Sequence, residues 1–415
     1  MKTLTLLGAG ASHEAGLPIS VELTRRIAAE VEKRYWYEGT VQALHAIIGA
    51  IIAHDTGRGG DAFEGVDVER VFAAVQMLAH RNELEIAPFV TAWNGSIDSA
   101  SAPPPTLPSF WERDFREAIT KSLGQNRISH LGQVFTEGVG ALVGRHADQS
   151  EVLFHLRNNM LTALRGCLVV DPEKVDYLAP LLGDGSDVVD IVTLNYDNSI
   201  ELLCNRADRV VDTGADLWDG SYSWKWSSTA QVRLLKMHGS LDWMLQTRGA
   251  RNLIQTTPVG ANEIGTWSGA EPAIVFGQGS KLRADGPFLG MLVEFERLLA
   301  AAERLVVVGY SFRDDHVNEV IVRWLLSGGE THRVFVVNPA IDEWRRDPRK
   351  APLLFQRLEA GRREGRTANN AEPPKVHPSV HIRMPFGAGE GLLETFGEGP
   401  SLHGYAPPPP PDPPE

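Results

Sequence analysis

The sequence predicts an α/β protein: a parallel sheet with helices on both faces and a large, mostly helical insertion. Three observations lead there. Short apolar runs of strand length recur at Leu4–Leu7, Val188–Leu194, Arg233–Met237, Ala273–Phe276, Leu305–Val308, Val334–Val337 and Val380–Met384, most of them ending at a polar or glycine-containing turn. Helical spacing of apolar residues lies between some of them, notably over Phe288–Ala302 and Val317–Leu326. Alternation of these two periods is the pattern of a parallel, Rossmann-like sheet covered on both faces. Thirdly, strand signals are scarce over residues 41–185, where Val68, Val71, Phe72, Val75 and Leu78, and then Phe115, Ile119 and Leu123, recur at helical spacing.

Taken in order, β-type Leu4–Leu7 runs into Gly8-Ala9-Gly10-Ala11-Ser12 and then Gly16-Leu17-Pro18. Ser20 is a candidate N-cap for a helix carrying Leu23, Ile27 and Val31 on one face to about Lys33. The expected organisation is one Rossmann-like domain from residues 1–40 and 186–400, a helical insertion at 41–185, and a proline-rich tail at 401–415 without a core. Loops are expected at Thr56–Gly60 and Ser101–Pro105.

Composition narrows the function. At 415 residues the chain is long enough for two or three domains of about 150 residues each. A hydrophobic share of 43% and a charged share of 22% describe a folded protein. Lys plus Arg is 40 against 53 Asp plus Glu, a net charge of −13, so there is no chain-wide basic footprint and direct nucleic-acid binding is not expected. The two cysteines, Cys167 and Cys204, cannot build a four-cysteine zinc site or a secreted disulfide framework. No apolar run reaches membrane-spanning length, and the expectation is a soluble cytoplasmic protein without a membrane role.

Chemistry-bearing residues sit where the runs end. The Gly8–Ser12 loop follows the first strand, the place where such sheets bind nucleotide phosphates. Its glycine spacing departs from the dinucleotide fingerprint, because the glycine after Gly8 and Gly10 is Gly16. Thr193-Leu194-Asn195-Tyr196-Asp197 closes the next apolar run, with Asp197 also a candidate cap for the helix starting at Ser199. His238-Gly239 follows Lys236-Met237, placing an imidazole at a strand end. Val308-Gly309-Tyr310-Ser311-Phe312-Arg313-Asp314-Asp315-His316 repeats the strand–glycine–helix form; Ser311 is a candidate ribose or phosphate contact, whereas Asp314 or Asp315 reads as the cap of the following helix and His316 as first-turn structure. Asn338 stands at the end of the next strand, before Pro339, and Lys281 beside Gly277–Ser280 reads as surface.

Together these motifs resemble the sirtuin superfamily. Gly8–Ser12 with Ala15-Gly16-Leu17-Pro18 is similar to its opening signature, Asn195-Tyr196-Asp197 to its Asn-x-Asp motif, His238-Gly239 to its catalytic His-Gly, Gly309-Tyr310-Ser311 to its ribose loop and Val337-Asn338 to its adenosine-side asparagine. The chain departs from the deacylases of that superfamily: the zinc module and the Phe-Arg pair after the glycine–proline turn are missing. The wording around His238 and Gly309 is similar to sirtuin-like domains of prokaryotic anti-phage systems. That resemblance implies a zinc-independent NAD+ hydrolase, with NAD as substrate, acting in abortive infection. It implies Asn195 and His238 as catalytic residues, Asp197 at the nicotinamide carboxamide, and Gly8, Ala9, Gly10, Ala11, Ser12, Gly16, Gly309, Ser311 and Asn338 along the dinucleotide. It also implies a homo-oligomer and a protein partner, such as a HerA-type translocase ATPase or a short Argonaute module. Two other readings stand beside it: an NAD-dependent deacylase, and a non-catalytic NAD or ADP-ribose scaffold.

Overall fold

The computed structural model describes residues 2–33, 39–60, 65–80, 149–221, 223–248, 251–256, 271–275, 286–328, 331–359, 379–383, 387–397, 399–400 and 402. The predicted helix around Phe115–Leu123, the loop Ser101–Pro105, the segment Gly277–Lys281 and the proline run Pro407–Pro414 lie outside them. Two compact units are present, one of residues 1–19 with 168–415 and one of residues 20–167.

The first unit is built on a seven-stranded sheet, with every pairing parallel. Its strands are β1 (Thr3–Leu7), β2 (Val189–Thr193), β3 (Val211–Asp212), β4 (Val232–Lys236), β8 (Arg304–Val308), β9 (Arg333–Val337) and β10 (Ser379–Arg383), in the order β10-β9-β8-β1-β2-β4-β3. Leu4, Thr5, Leu6 and Leu7 are all buried, as expected of a strand covered on both faces. From β1 the chain builds outward through β2 and β4, then returns to the other side of β1 with β8, β9 and β10. The C-terminal end of β1 is therefore the switch point, where crossovers on opposite sides leave a crevice. The fold is the Rossmann-like architecture read from the sequence.

Helices α5 (Ser199–Arg206), α6 (Phe288–Ala300), α7 (Asp315–Gly328), α8 (Ile341–Arg346) and α9 (Ala388–Phe396) belong to the same unit. Phe295, Leu298 and Leu299 of α6 and Val317, Ile321 and Trp324 of α7 share one buried core with Leu6, Val192, Leu235, Val307 and Val334 of the sheet. Full burial of one such side chain is worth about 1.5–3 kcal/mol, so the apolar strand runs set both the fold and its stability.

One strand expectation is corrected. Ala273 belongs to β7 (Glu271–Ile274), which lies in a separate antiparallel sheet of order β6-β5-β7 with β5 (Gly239–Arg248) and β6 (Arg251–Thr256). Immediately after His238 the chain enters the ten-residue β5, whose backbone pairs with β7 before the chain returns to the parallel sheet. An apolar run of strand length does not say which sheet will pair it.

The second unit contains α1 (Ser20–Lys33), α2 (Thr40–Gly57), α3 (Val68–Ala79) and α4 (Gln149–Cys167), with α1, α2 and α3 all packing on α4. Leu23, Ile27 and Val31 form the buried stripe of α1, and Val68, Val71, Phe72 and Val75 that of α3. The division falls at Ser20 and Leu168, whereas the sequence places it at 41 and 185, because α1 buries its stripe within the helical unit. Ser20 does not cap α1: it is the first helical residue, and its buried hydroxyl has no partner. Asp67 does cap α3, accepting from the Glu69 amide at 2.8 Å. Arg70 and Asp55 form a two-bond ion pair at 2.5 and 3.0 Å that holds the Asp55 carboxyl down at about 2. Among the described residues no helix is long and apolar enough to cross a membrane.

Candidate active site

The ends of β1, β8 and β9 are joined backbone to backbone. Gly8 donates to the Val308 carbonyl, Gly10 to Gly309 and Gly309 to Val337, each at 2.9 Å. A Cβ on Gly8 would lie 2.5 Å from Tyr310 Cα, and one on Gly309, at φ +63°, would lie 2.2 Å from the Ala11 nitrogen. These glycines let the first loop press against the Gly309 loop, which is a packing demand. The Ala11 amide donates to Gly8 at 2.8 Å, so the amides of Gly8, Gly10 and Ala11 are engaged inside the protein, and exposed Ala9 is the tip of the turn. Gly16 occupies the left-handed region at φ +86° with open space around it. Tyr177 braces the loop from the opposite side, donating to the Ala11 carbonyl at 2.6 Å. Burial, together with the carboxylates of Asp197 and Glu14, pushes its phenol pKa up and keeps the hydroxyl a donor.

Asn195 stands two residues beyond the end of β2, just after Leu194, whose amide still donates to Leu7 at the end of β1. Its side-chain amide nitrogen bridges the two strand ends, donating to the Gly8 carbonyl at 3.0 Å and to Ser12 Oγ at 2.9 Å. Both donors being used, Oδ1 is the amide's remaining hydrogen-bonding atom, an acceptor. Asp197 is buried, and its Oδ1 accepts from the amide and hydroxyl of Ser199 at the start of α5. Ala11, Ser12, Thr193, Asn195, Asp197 and Glu201 line a cavity of about 10 Å³, with Leu7, Leu178, Ser199 and Ile200 completing it. That is space for about one water molecule.

Behind this cavity lies a charged pair that the sequence reading missed. Lys236, the last residue of β4, is fully buried; its ammonium donates to the Asp197 carbonyl at 2.8 Å and to Glu201 Oε1 at 2.7 Å. Desolvation pulls the Lys236 pKa down, but the carboxylates of Glu201 and Asp242 outweigh it and the net movement is upward. Burial moves the Glu201 carboxyl upward, with Lys236 opposing. A lysine ending a strand straight after the apolar pair Leu234-Leu235 was the signal available in the sequence.

His238 lies on the other side of the β2 end. Nδ1 meets the Leu194 carbonyl at 3.1 Å, and Nε2 meets Asp314 Oδ2 at 2.8 Å. His238 and Asp314 line a second cavity, of about 20 Å³, with Met237, Phe288, Leu292, His316 and Val317. Asn195 and His238 thus open to two different small cavities, joined through the Leu194–Asn195 peptide. Asp314 also caps α7, its Oδ1 accepting from His316 and Val317 at 3.0 and 3.2 Å. The capping expected from the sequence is present, and the same carboxylate holds the histidine. The fold sets the turn after His238: Gly239 adopts φ +83°, and a Cβ there would lie 1.7 Å from the Ala273 carbonyl oxygen of β7.

The remaining candidates fall along the β8 and β9 ends. Ser311 is exposed beside buried Tyr310 and Phe312. Asn338 is buried and engaged within the protein, donating to the Tyr310 carbonyl at 3.0 Å and accepting from the Ala340 amide at 2.9 Å. Among the described residues no group of three or more His, Cys, Asp or Glu is placed to hold a metal ion.

Residues 189–359 match the family model of the SIR2-like domain. No curated protein matches the sequence. Among solved structures, that of Sir2Tm bound to a propionylated peptide is similar over 95% of this chain and 93% of that chain, at 10% identity and a TM-score of 0.31. A score that low assigns no residue a role. The matched stretch, from β2 to Glu359, is similar to a SIR2-like domain and carries Asn195, Asp197, His238, Gly309, Ser311, Asp314 and Asn338.

Proposed function

We propose that this chain is an NAD+ glycohydrolase of sirtuin-like type. Sirtuin-like domains use NAD, and the family match over residues 189–359 supports an NAD-using activity. The observation that carries the reading is Asn195: its amide nitrogen is fixed by Gly8 and Ser12, which leaves an acceptor oxygen on a water-sized cavity beside two carboxylates. In the reaction the bond between nicotinamide nitrogen and ribose C1′ breaks, and its electron pair leaves with nicotinamide, which departs neutral. Water oxygen bonds to C1′, and the water's proton passes to His238 directly or through a ribose hydroxyl. Asn195 Oδ1 accepts from the water or the ribose and orients it. The carboxylates of Asp197 and Glu201 favour the positive charge that develops on the ribose, and Asp197 also contacts the carboxamide. The first loop from Gly8 to Ser12, with Gly16, lies along the pyrophosphate, and Gly309, Ser311 and Asn338 along the adenosine ribose. No step calls for zinc.

A protein that consumes NAD must stay silent in a healthy cell. We therefore place it in the cytoplasm as an effector of anti-phage abortive infection, held inactive by self-assembly or by a partner of the translocase-ATPase or short-Argonaute kind. The test is nicotinamide release from NAD without any acyl-peptide. Release that both His238→Ala and Asn195→Ala abolish supports the assignment; release only with an acyl-peptide makes the protein a deacylase, and tight NAD binding without release makes it a scaffold.

A further inference from the structure

His238 is held between two acceptors. The Leu194 carbonyl can only accept, so Nδ1 carries a proton toward it at 3.1 Å. A carboxylate oxygen stands 2.8 Å from Nε2, so a proton lies between Nε2 and Asp314 as well. Whichever of the two atoms owns that second proton, the ring presents no lone pair to a substrate. Histidine 5% exposed, with both nitrogens engaged, is not a base in this arrangement. The Leu194 carbonyl belongs to the backbone at the end of a central strand, whereas Asp314 is a side chain that rotates about its own bonds. Asp314 has a second attachment that survives such a rotation: Tyr310 Oη accepts from its main-chain amide at 3.0 Å. The loop that delivers it carries two left-handed residues, Gly309 at φ +63° and Phe312 at φ +54°. The cavity of about 20 Å³ lies on this side of the ring, with Met237, Phe288 and His316 among its walls.

We infer that Asp314 is a latch on His238, occupying Nε2 in the substrate-free protein and yielding that nitrogen to an NAD ribose hydroxyl or to the attacking water. This rests on the hydrolase reading for what His238 does, and on the hydrogen-bond inventory alone for what holds it. The bond exchanged is the Nε2–Oδ2 hydrogen bond: the shared proton leaves on the Asp314 carboxyl, Nε2 keeps its lone pair for the incoming hydroxyl or water, and the carboxyl keeps its contacts to the α7 amides or turns to solvent.

The experiment is proton NMR of the full chain, following the hydrogen-bonded imidazole N–H resonances, with ADP-ribose and with NAD as ligands. One such resonance is expected to vanish in both His238→Ala and Asp314→Ser, and to vanish or move in the intact protein at saturating nucleotide. Serine at 314 still caps α7 but does not reach the ring. In the same variant the KM for NAD is expected to fall at least threefold, since the nucleotide no longer competes with the carboxylate. A resonance unmoved by saturating nucleotide overturns the latch, as does a KM that stays the same or rises. A protein that binds NAD and releases Asp314 without cleaving NAD keeps the latch and sinks the hydrolase reading; one that binds neither nucleotide sinks both.

Discussion

An alanine at Gly309 would place its methyl carbon 2.2 Å from the Ala11 nitrogen and 2.4 Å from the Gly10 carbonyl carbon. Both are backbone atoms of the first loop and cannot swing aside like the tip of a side chain. The residue also sits at φ +63°, where a Cβ costs roughly 1–2 kcal/mol. Relieving the overlap means parting the two loops, which breaks the Gly8-to-Val308 and Gly10-to-Gly309 hydrogen bonds, worth about 1 kcal/mol each. Gly16→Ala is the matched control: its φ of +86° carries the same conformational cost, but no atom lies within 4 Å of the added carbon. The steric part is therefore the difference between the variants, about 2 kcal/mol, which in a domain of this size is about 4–8 °C in melting temperature. Differential scanning fluorimetry of the two variants beside the parent measures it. Equal melting temperatures for Gly309→Ala and Gly16→Ala would refute the claim that the glycines of the two loops are there to let their backbones meet.

Three further outcomes follow from the same structure. Asn195→Ala removes the hydrogen bonds to the Gly8 carbonyl and to Ser12 Oγ while the Ala11 amide still serves that carbonyl, so besides losing turnover it should be less stable by about 1–2 kcal/mol, the worth of two hydrogen bonds, read from chemical denaturation; an undiminished stability would mean that the bridge between β1 and β2 carries no weight. Lys236→Met strands Glu201 in a site where burial already moves its carboxyl upward, and a carboxyl raised in the folded state contributes stability below its unfolded value that is lost as pH rises. That variant should therefore melt further below the parent at pH 8 than at pH 5, with Glu201→Gln restoring part of the loss, and a pH-independent deficit would contradict it. Asp55, held at about 2 by Arg70, contributes stability that is present above its unfolded value and lost as pH falls from about 4 towards about 2; Arg70→Ala should flatten that part of an acid titration of thermal stability, and an unchanged acid limb would count against the pair.

How much of this was legible in the sequence varies with the origin of each feature. β1, β2, β4, β8 and β9 were readable because a strand buried on both faces is mostly apolar: Leu305–Val308 is wholly so, and Leu4–Leu7 is so apart from Thr5. The β5–β7 sheet was not, because β5 mixes polar and apolar residues and its pairing with β7 is a tertiary event. Its clue was the alternation at Leu241, Asp242 and Trp243, of which Leu241 and Trp243 are buried and Asp242 is partly exposed. Asn195 and His238 could be chosen because each ends or follows a strand beside the switch point. Asp314 was read as a helix cap, correctly but incompletely: its second partner lies 76 residues away in the chain, and no local pattern announces it. The glycines were assigned to phosphate binding, yet their tight neighbours are one another's backbone, a contact set by the adjacency of β1 and β8 that spacing alone does not show.

The most direct test is nicotinamide release from NAD by the purified protein, alone and with candidate partners, with His238→Ala in parallel. Release without any acyl-peptide is expected in at least one of those conditions, and none from the variant. Release that His238→Ala leaves intact, or no release in any condition while NAD stays bound, would contradict the hydrolase reading.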